Sequence, residues 1–436
     1  MTGVPRAAWR HAAALAIASA VATLPHATIA APTAAPVPAE SVLSRTEALA
    51  RLQRESFELL AARHRVSQAR ASVIAAGVWT NPNVSATFLF LTHGAVTGGN
   101  QELVVSVDQV IPIAGQVGLR KDVANAQLTA EERDYEDALW TLLANAKVAY
   151  LGLQRAEARA TALKNGVADL AKVEAIVKER AAAGANSAYD RVRVGVERSK
   201  VEGRLAEAET DVVTARTELA QAIGASVDSL RVRAEPALPD VDSAPEDVDA
   251  LVARAIAQRP DLARARARAN ASDLKVGLLR RQVVPSPDVS VGYARYFDVP
   301  GAAKSTGGAV IVGLSLPVPI LDRGQGTVDR GVAEAGEDRV NAKAVEVAVK
   351  RDVLEATARM RIRVDAWKRF RETTAKDIDR LRTIAELSYR EGRASILELL
   401  DAYAAYVDAE ERRTDLHVTA VRSGLDLERA LGPAKK

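Results

Sequence analysis

Two periods run through this chain. Around residues 83–91, 101–110, 288–296 and 308–316, apolar and small or polar positions alternate. Almost everywhere else the apolar residues recur at helical spacing. Alternation places successive side chains on opposite faces of a strand, whereas a period of about 3.6 places them on one stripe of a helix. In the first alternating block Val84, Ala86, Phe88 and Phe90 oppose Ser85 and Thr87. In the second, Leu103, Val105 and Val107 oppose Glu102, Ser106 and Asp108. In the third, Val289, Val291 and Tyr293 oppose Ser290 and Gly292; in the fourth, Val310, Val312, Leu314 and Leu316 oppose Ala309, Gly313 and Ser315. The helical stretches carry a seven-residue seam: Leu128, Tyr135, Leu142 and Ala149, interleaved with Leu139, Ala146 and Leu153. That is a coiled-coil pattern. A helix of about 65 residues at about 1.5 Å per residue is roughly 100 Å long, a rod.

The order of elements occurs twice. Pro82 of "NPNVSATF" and Pro287 of "SPDVSVGY" are 205 residues apart, and Pro112 and Pro319 are 207 apart. Gly184 and Gly392 are 208 apart, as are Gly224 and Gly432. Landmarks at nearly constant offset mark a tandem duplication. Each copy reads helix, strand, strand, long helix, long helix. The expected helices are residues 41–78, 116–182 and 187–223 in copy one. In copy two they run from Pro260 to before Pro285, then 323–390 and 394–431. The expected division is a signal peptide at 1–30, repeat 1 at 31–224, a Pro-, Asp- and Ser-rich linker at 225–245 and repeat 2 at 246–436.

Strands of this length, apolar on one face and small or polar on the other, fit a soluble sheet packed on helices. Alternation alone favours that reading, but the strands fit also a membrane barrel with lipid outside and water inside. Four strands cannot close in lipid, because an open edge there leaves backbone groups unpaired. A membrane reading therefore requires several chains: two give eight strands and little lumen, three give twelve and a water channel. In that reading Pro112, Pro317 and Pro319 end the ladder where the chain leaves the membrane, because proline cannot donate to it. The helix that follows continues the tube.

Composition narrows the field. The N-terminus has Arg6 and Arg10, an apolar stretch from Ala12 to Leu24, and small residues Thr28 and Ala30, the layout of a cleavable export signal. The stretch is too short to span as an anchor, and with no cysteine in the chain no lipoprotein anchor can form. Removing residues 1–30 lowers the net charge from +3 to +1, which argues against nucleic acid. Without cysteine there is neither a disulfide nor thiolate chemistry. No Ser/His/Asp order, phosphate loop or metal-ligand spacing stands out, so no enzyme, cofactor or metal site is expected.

The ordered set "NPNVS", "QVIPIAGQVGLR", "AAGANSAYD", "QRPDLARARA", "LSLPVPILDRGQG" and "REGRASILELLDA" resembles the TolC-type outer-membrane efflux family over nearly the whole mature chain. The stretch "LSLPVPILDRGQG" is most similar to the CzcC-like heavy-metal cation branch, although that branch usually has Asn where Gly324 stands. The resemblance implies a mainly α fold with a small β part. A homotrimer would carry a 12-stranded barrel on a long helical tunnel, the barrel in outer-membrane lipid and the tunnel in the periplasm. Its implied partners are a periplasmic adaptor and an inner-membrane pump of the resistance-nodulation-division (RND) type. A duct for drugs or organic compounds is the alternative; a periplasmic adaptor or a structural coiled coil is a further one.

Candidate residues lie at the junctions of the long helices. Gly184 and Gly392 are suited to end a helix, and Ser187 and Ser395 to cap the next one. The resemblance makes these turns the tips that meet the adaptor. Glu398 and Asp401, three apart, share a helix face, which by spacing alone reads as a solvated face. The resemblance places both on an acidic ring at a closed aperture, where three copies would attract cations. It also makes Asp190 and Tyr389 a carboxylate–phenol tether between coils. Some members carry an arginine where this chain has Ala394; Arg393 is the basic residue next to that position.

Overall fold

The structure, a computed structural model, describes residues 41–89, 101–182, 188–224, 232–241, 243–297 and 307–434. Copy one comprises β1 (Ser41–Leu43), α1 (Arg45–Glu55), α2 (Phe57–Ala76), β2 (Asn83–Leu89), β3 (Gln101–Val110), α3 (Gln116–Ala182) and α4 (Ala188–Ile223). After β4 (Val232–Ala234), copy two comprises α5 (Val248–Gln258), α6 (Pro260–Gln282), β5 (Asp288–Phe297), β6 (Gly307–Ser315), α7 (Gln325–Glu372), α8 (Thr374–Arg390) and α9 (Ile396–Leu431). The fold is mainly helical with a small sheet part, and its plan repeats.

Three features differ from the sequence expectation. The helix expected over 41–78 is broken at Ser56, whose amide closes α1 on Leu52 O while its hydroxyl accepts from Leu59 N to open α2. Copy two breaks likewise at Arg259, so α5 precedes the helix that begins at Pro260. The cause of both breaks is tertiary. Gly224, at φ 68°, lies so near Ser56 that a β-carbon there would sit 2.9 Å from Ser56 Cα. Gly432, at φ 80°, approaches the Gln258–Arg259 peptide to 3.0 Å in the same way. The segment expected as linker contains β4, which pairs in parallel with β1, Val42 opposite Arg233. Tyr150 pins that pair: its hydroxyl donates to Leu43 O at 2.9 Å and accepts from Glu235 N at 3.0 Å. The helix expected over 323–390 divides at Thr373, whose hydroxyl bonds back to Arg369 O at 2.7 Å. Such a back-bond competes with the helical ladder and bends it.

The two copies bury matching cores. Leu52, Tyr150, Leu153, Leu219 and Ile223 form one, and Ala255, Val353, Met360, Leu427 and Leu431 the other. A third cluster, with Leu163, Leu170, Val173, Val194, Leu399 and Tyr403, joins α3, α4, α8 and α9. Each fully buried leucine contributes about 1.5–3 kcal/mol. Among the described residues, no helix is long and apolar enough to cross a membrane.

Candidate conduit wall and aperture

The alternating blocks form one antiparallel sheet in the order β2-β3-β5-β6. The register aligns like with like. One row across the sheet is Val84, Val107, Val291, Val312, and the next is Ala86, Val105, Tyr293, Val310. This face is open: Val84 is 68 % exposed, and Val312 and Leu314 are each 74 % exposed. On the other face the rows are Ser85, Ser106, Gly292, Ile311 and Asn83, Asp108, Ser290, Gly313. The Ser85 and Ser106 hydroxyls are 2.9 Å apart, and Ser106 donates to Asp108 Oδ2 at 3.3 Å. The sheet thus has one mainly apolar side and one side of small and polar residues interrupted by Val104 and Ile311, and β2 and β6 are its edges.

The proline junctions lie just past the ladder. β3 ends two residues before Pro112, and β6 two residues before Pro317. Ile111 N makes one last bond to Pro287 O at 2.8 Å. Pro317 and Pro319 flank an exposed apolar run in which Val318 and Ile320 are 69 % and 70 % exposed. Gln116 opens α3 and reaches across the repeat: its Oε1 accepts from Ala114 N and its Nε2 donates to Val284 O at 3.2 Å.

At the opposite end of the long helices, Gly184 and Ser187 lie outside the described residues. Gly392 and Ser395 form the turn between α8 and α9. Gly392 N donates to Tyr389 O at 3.0 Å, and Arg393 N to Ser388 O at 2.9 Å. Ser395 caps α9 in a reciprocal box: its N–H and hydroxyl donate to Glu398 Oε2 at 2.7 and 3.0 Å, and its Oγ accepts from Glu398 N. The backbone N–H of Ser395 is the main cause, and its hydroxyl the next, that holds the Glu398 carboxyl below the ordinary glutamate range. Glu398 and Asp401 are both exposed on the first turns of α9. The face they share is therefore anionic and solvated, while Leu399 and Leu400 turn inward.

Tyr389 is buried, 1 % exposed, in the cluster shared by α3, α4 and α9. Asp190 is half-buried in the first turn of α4. Four residues that sequence reasoning passed over tie these helices. The Arg180 guanidinium lies 4.6 Å over the Tyr389 ring and donates to Tyr389 O. Arg382 of α8 bonds Asp169 of α3 at 2.9 Å and lies 4.2 Å over Tyr406. Glu411 of α9 accepts from Arg159 of α3 at 2.9 Å and from Arg204 of α4. Burial first, and then the charge of Glu386, push the Tyr403 phenol well above the ordinary tyrosine value. It therefore stays a donor to Glu386 Oε2, at 3.1 Å. No local signal picks Arg180 and Arg382 out among 59 lysines and arginines, because their partners are more than 200 residues away in sequence.

The chain matches the model of the family described as outer membrane efflux protein over residues 48–225 and 251–433. The cobalt-zinc-cadmium resistance protein CzcC of Cupriavidus metallidurans is 24% identical over 271 residues, 62% of this chain and 63% of that protein. The nickel-cobalt-cadmium resistance protein NccC of Alcaligenes xylosoxydans xylosoxydans is 25% identical over 296 residues, 64% of this chain and 62% of that one. The chain thus spans somewhat under two thirds of the length of either relative. In fold it is similar to a membrane protein from Pseudomonas aeruginosa, with TM-score 0.73 and 20% identity over 92% of this chain and 98% of that one. It is similar also to CusC, with TM-score 0.71 and 17% identity over 89% and 92%. With both halves of its duplicated plan matched by the family model, this chain belongs to the outer membrane efflux protein family.

Proposed function

We propose that this chain is one third of a passive exit duct. Three copies close their sheets into a 12-stranded barrel in the outer membrane, apolar face to lipid and serine-lined face to water. The long helices carry the passage through the periplasm, and residues 1–30 serve as the export signal, with repeats at 31–224 and 246–436 about the connecting segment 225–245. The observation that carries this reading is the four-stranded sheet with one mainly apolar face, on which Arg295 and Gln109 stand toward opposite ends of the ladder. A strand pair or sheet with open edges is stable in lipid only when closed on itself.

The cargo is a heavy-metal cation, supported by the similarity to CzcC and NccC, whose names state resistance to such metals. Organic cargo is the second reading, supported by 25% identity over 190 residues to a pyoverdine export protein, OpmQ of Pseudomonas putida. The energy comes from an RND pump in the inner membrane, linked by a periplasmic adaptor that meets the tips at Gly184, Ser187, Gly392 and Ser395. The exposed carboxylates Glu398 and Asp401 form the cation-attracting aperture, and Asp190 and Tyr389 belong to the contacts that hold the coils closed.

The test is a deletion strain challenged with cobalt, zinc, cadmium, nickel and a panel of organic toxicants. Raised metal sensitivity, restored by the intact gene, is the expected result. Unchanged tolerance to every metal and toxicant, together with no conductance from the purified protein in planar bilayers, would overturn the duct.

A further inference from the structure

Among the described residues, the mainly apolar face of the sheet carries a single charge, Arg295. The side chain is exposed, and no described carboxylate pairs with it. Gln109, a polar residue toward the other end of the same face, is already satisfied: its amide donates to Thr80 O at 3.0 Å and to Val110 O at 2.9 Å. β5, which carries Arg295, is flanked within the chain by β3 and β6. Closing the sheet at its edges therefore leaves this guanidinium facing outward.

We propose that Arg295 and Tyr293 form a binding site for the phosphate of a lipid in the outer leaflet. The proposal rests on the duct reading above, which puts the helices in the periplasm and the end of the sheet away from them outermost.

The depth of Arg295 suits that ligand. β5 enters from the helical side at Asp288 and ends at Phe297. Arg295 lies seven residues beyond Asp288, about 24 Å along the strand and about 18 Å in height at a tilt near 40°. The apolar band of such a barrel is about 25 Å tall, so Arg295 stands in its outer third. A cation facing lipid is costly at mid-depth and nearly free of cost at the interface. From this depth an arginine lays its stem along the apolar wall and carries its charged head out to the headgroups.

The surroundings of Arg295 are shaped for the same task. Phe88 and Phe297 stack with ring centres 6.0 Å apart, on the same face by register. Aromatic rings gather where a barrel meets the headgroup layer. Tyr293, 47 % exposed, leans across Gly308: a β-carbon at 308 would collide with the Tyr293 hydroxyl. Gly308 is the residue paired opposite Arg295. The missing side chain at 308 thus lets the phenol reach the row of the guanidinium and sets two donors side by side. A guanidinium offers a phosphate two parallel N–H bonds, and the phenol hydroxyl adds a further donor.

The test is native mass measurement of the full-length protein released from bilayers containing diphosphoryl lipid A, with dephosphorylated lipid A as the comparison. Wild type is expected to retain the diphosphoryl form about fivefold better than Arg295→Gln does, and about fivefold better than it retains the dephosphorylated form. Arg295→Lys should recover part of the retention, because an ammonium keeps the charge and loses the fork. Tyr293→Phe, which removes only the hydroxyl, should lower retention about twofold. Arg351→Gln, exposed on α7 away from the sheet, should retain lipid as wild type does. Single-channel conductance of each variant checks that the barrel has formed. Should Arg295→Gln fail to conduct, Tyr293→Phe and the dephosphorylated lipid decide the matter. Equal retention by wild type and a conducting Arg295→Gln, equal retention of the two lipid forms, or full displacement by millimolar inorganic phosphate, the mark of a free-anion site, overturns the proposal and leaves the duct standing. Wild-type protein that neither enters bilayers nor conducts overturns both.

Discussion

Arg180 lies 4.6 Å over the ring of Tyr389 and donates to the carbonyl of that same residue. One side chain near the end of α3 therefore holds both the ring and the backbone at the end of α8. A guanidinium on an aromatic face contributes about 0.5–2 kcal/mol as it loses water. The contact sits at the end of the rod where the tunnel is proposed to close, so its removal bears on opening.

Arg180→Ala is expected to raise the open probability of the channel by roughly three- to tenfold, the equivalent of about 0.7–1.4 kcal/mol. Arg180→Lys should recover only part of the closure, since an ammonium lacks the planar face and fork of arginine. Single-channel recording in planar bilayers reads this directly. An open probability equal to wild type in both variants would remove Arg180 from the closing contacts.

The double role of Glu398 can be separated. Its carboxylate accepts from Ser395, and a glutamine at that position of a capping box preserves the exchange. Glu398→Gln should therefore leave the melting temperature close to wild type while weakening block of the current by multivalent cations. Glu398→Ala should lower both. Adding Asp401→Ala to Glu398→Gln should weaken block further, and block that is unchanged in the double variant would place both residues outside the aperture.

The same group sets a pH dependence. The folded pKa of Glu398 is depressed because Ser395 donates to its ionised form. The stabilisation is complete above the unfolded glutamate value, about 4.3, and is lost as pH falls through the lower folded value. Cation block and the stability of the α8–α9 turn should both hold at pH 5–7 and decline only on stronger acidification. Hydrogen exchange at residues 395–399 across that range is the measurement, and protection lost already at pH 6 would contradict it.

His417 titrates in the opposite chemical sense but with the same direction for stability. It stacks on Trp367 at 4.4 Å, and burial is the main cause that holds its pKa below the ordinary histidine value. The unfolded chain therefore takes up a proton before the folded one does. Stability should fall as pH drops below about 6.5, the unfolded value, until the folded histidine is itself protonated. Chaotrope titrations at pH 8 and pH 5.5 should show this loss in wild type and less of it in His417→Gln.

Glycines in two settings should respond with opposite sign. At Gly224, a β-carbon would meet Ser56 Cα at 2.9 Å and the backbone is left-handed, so Gly224→Ala should cost about 1–3 kcal/mol. Gly203 is in the exposed interior of α4 with nothing within 4 Å of an added β-carbon. Gly203→Ala should stabilise by about 0.5–1 kcal/mol through helix propensity. Thermal melts of the two variants decide, and equal shifts would refute the close approach at Ser56.

What the sequence determined by itself was whatever depends on neighbours along the chain. The four strands, the proline stops near Pro112 and Pro319, the long coils and the duplicated order are written as short periods and constant offsets. A strand or helix face is fixed by residues two to seven positions apart, so reading such a pattern needs no tertiary knowledge. The tertiary structure decided what depends on groups hundreds of positions away. It broke a helix at Ser56 where Gly224 presses in, and paired Ser41–Leu43 with a segment that reads as linker. It also turned the Glu398 carboxylate back onto the cap at Ser395, and set Arg180, Arg382 and Glu411 to join helices. An arginine's partner has no periodicity to announce it; long flexible side chains find their carboxylates and rings only once the backbone has brought distant helices side by side.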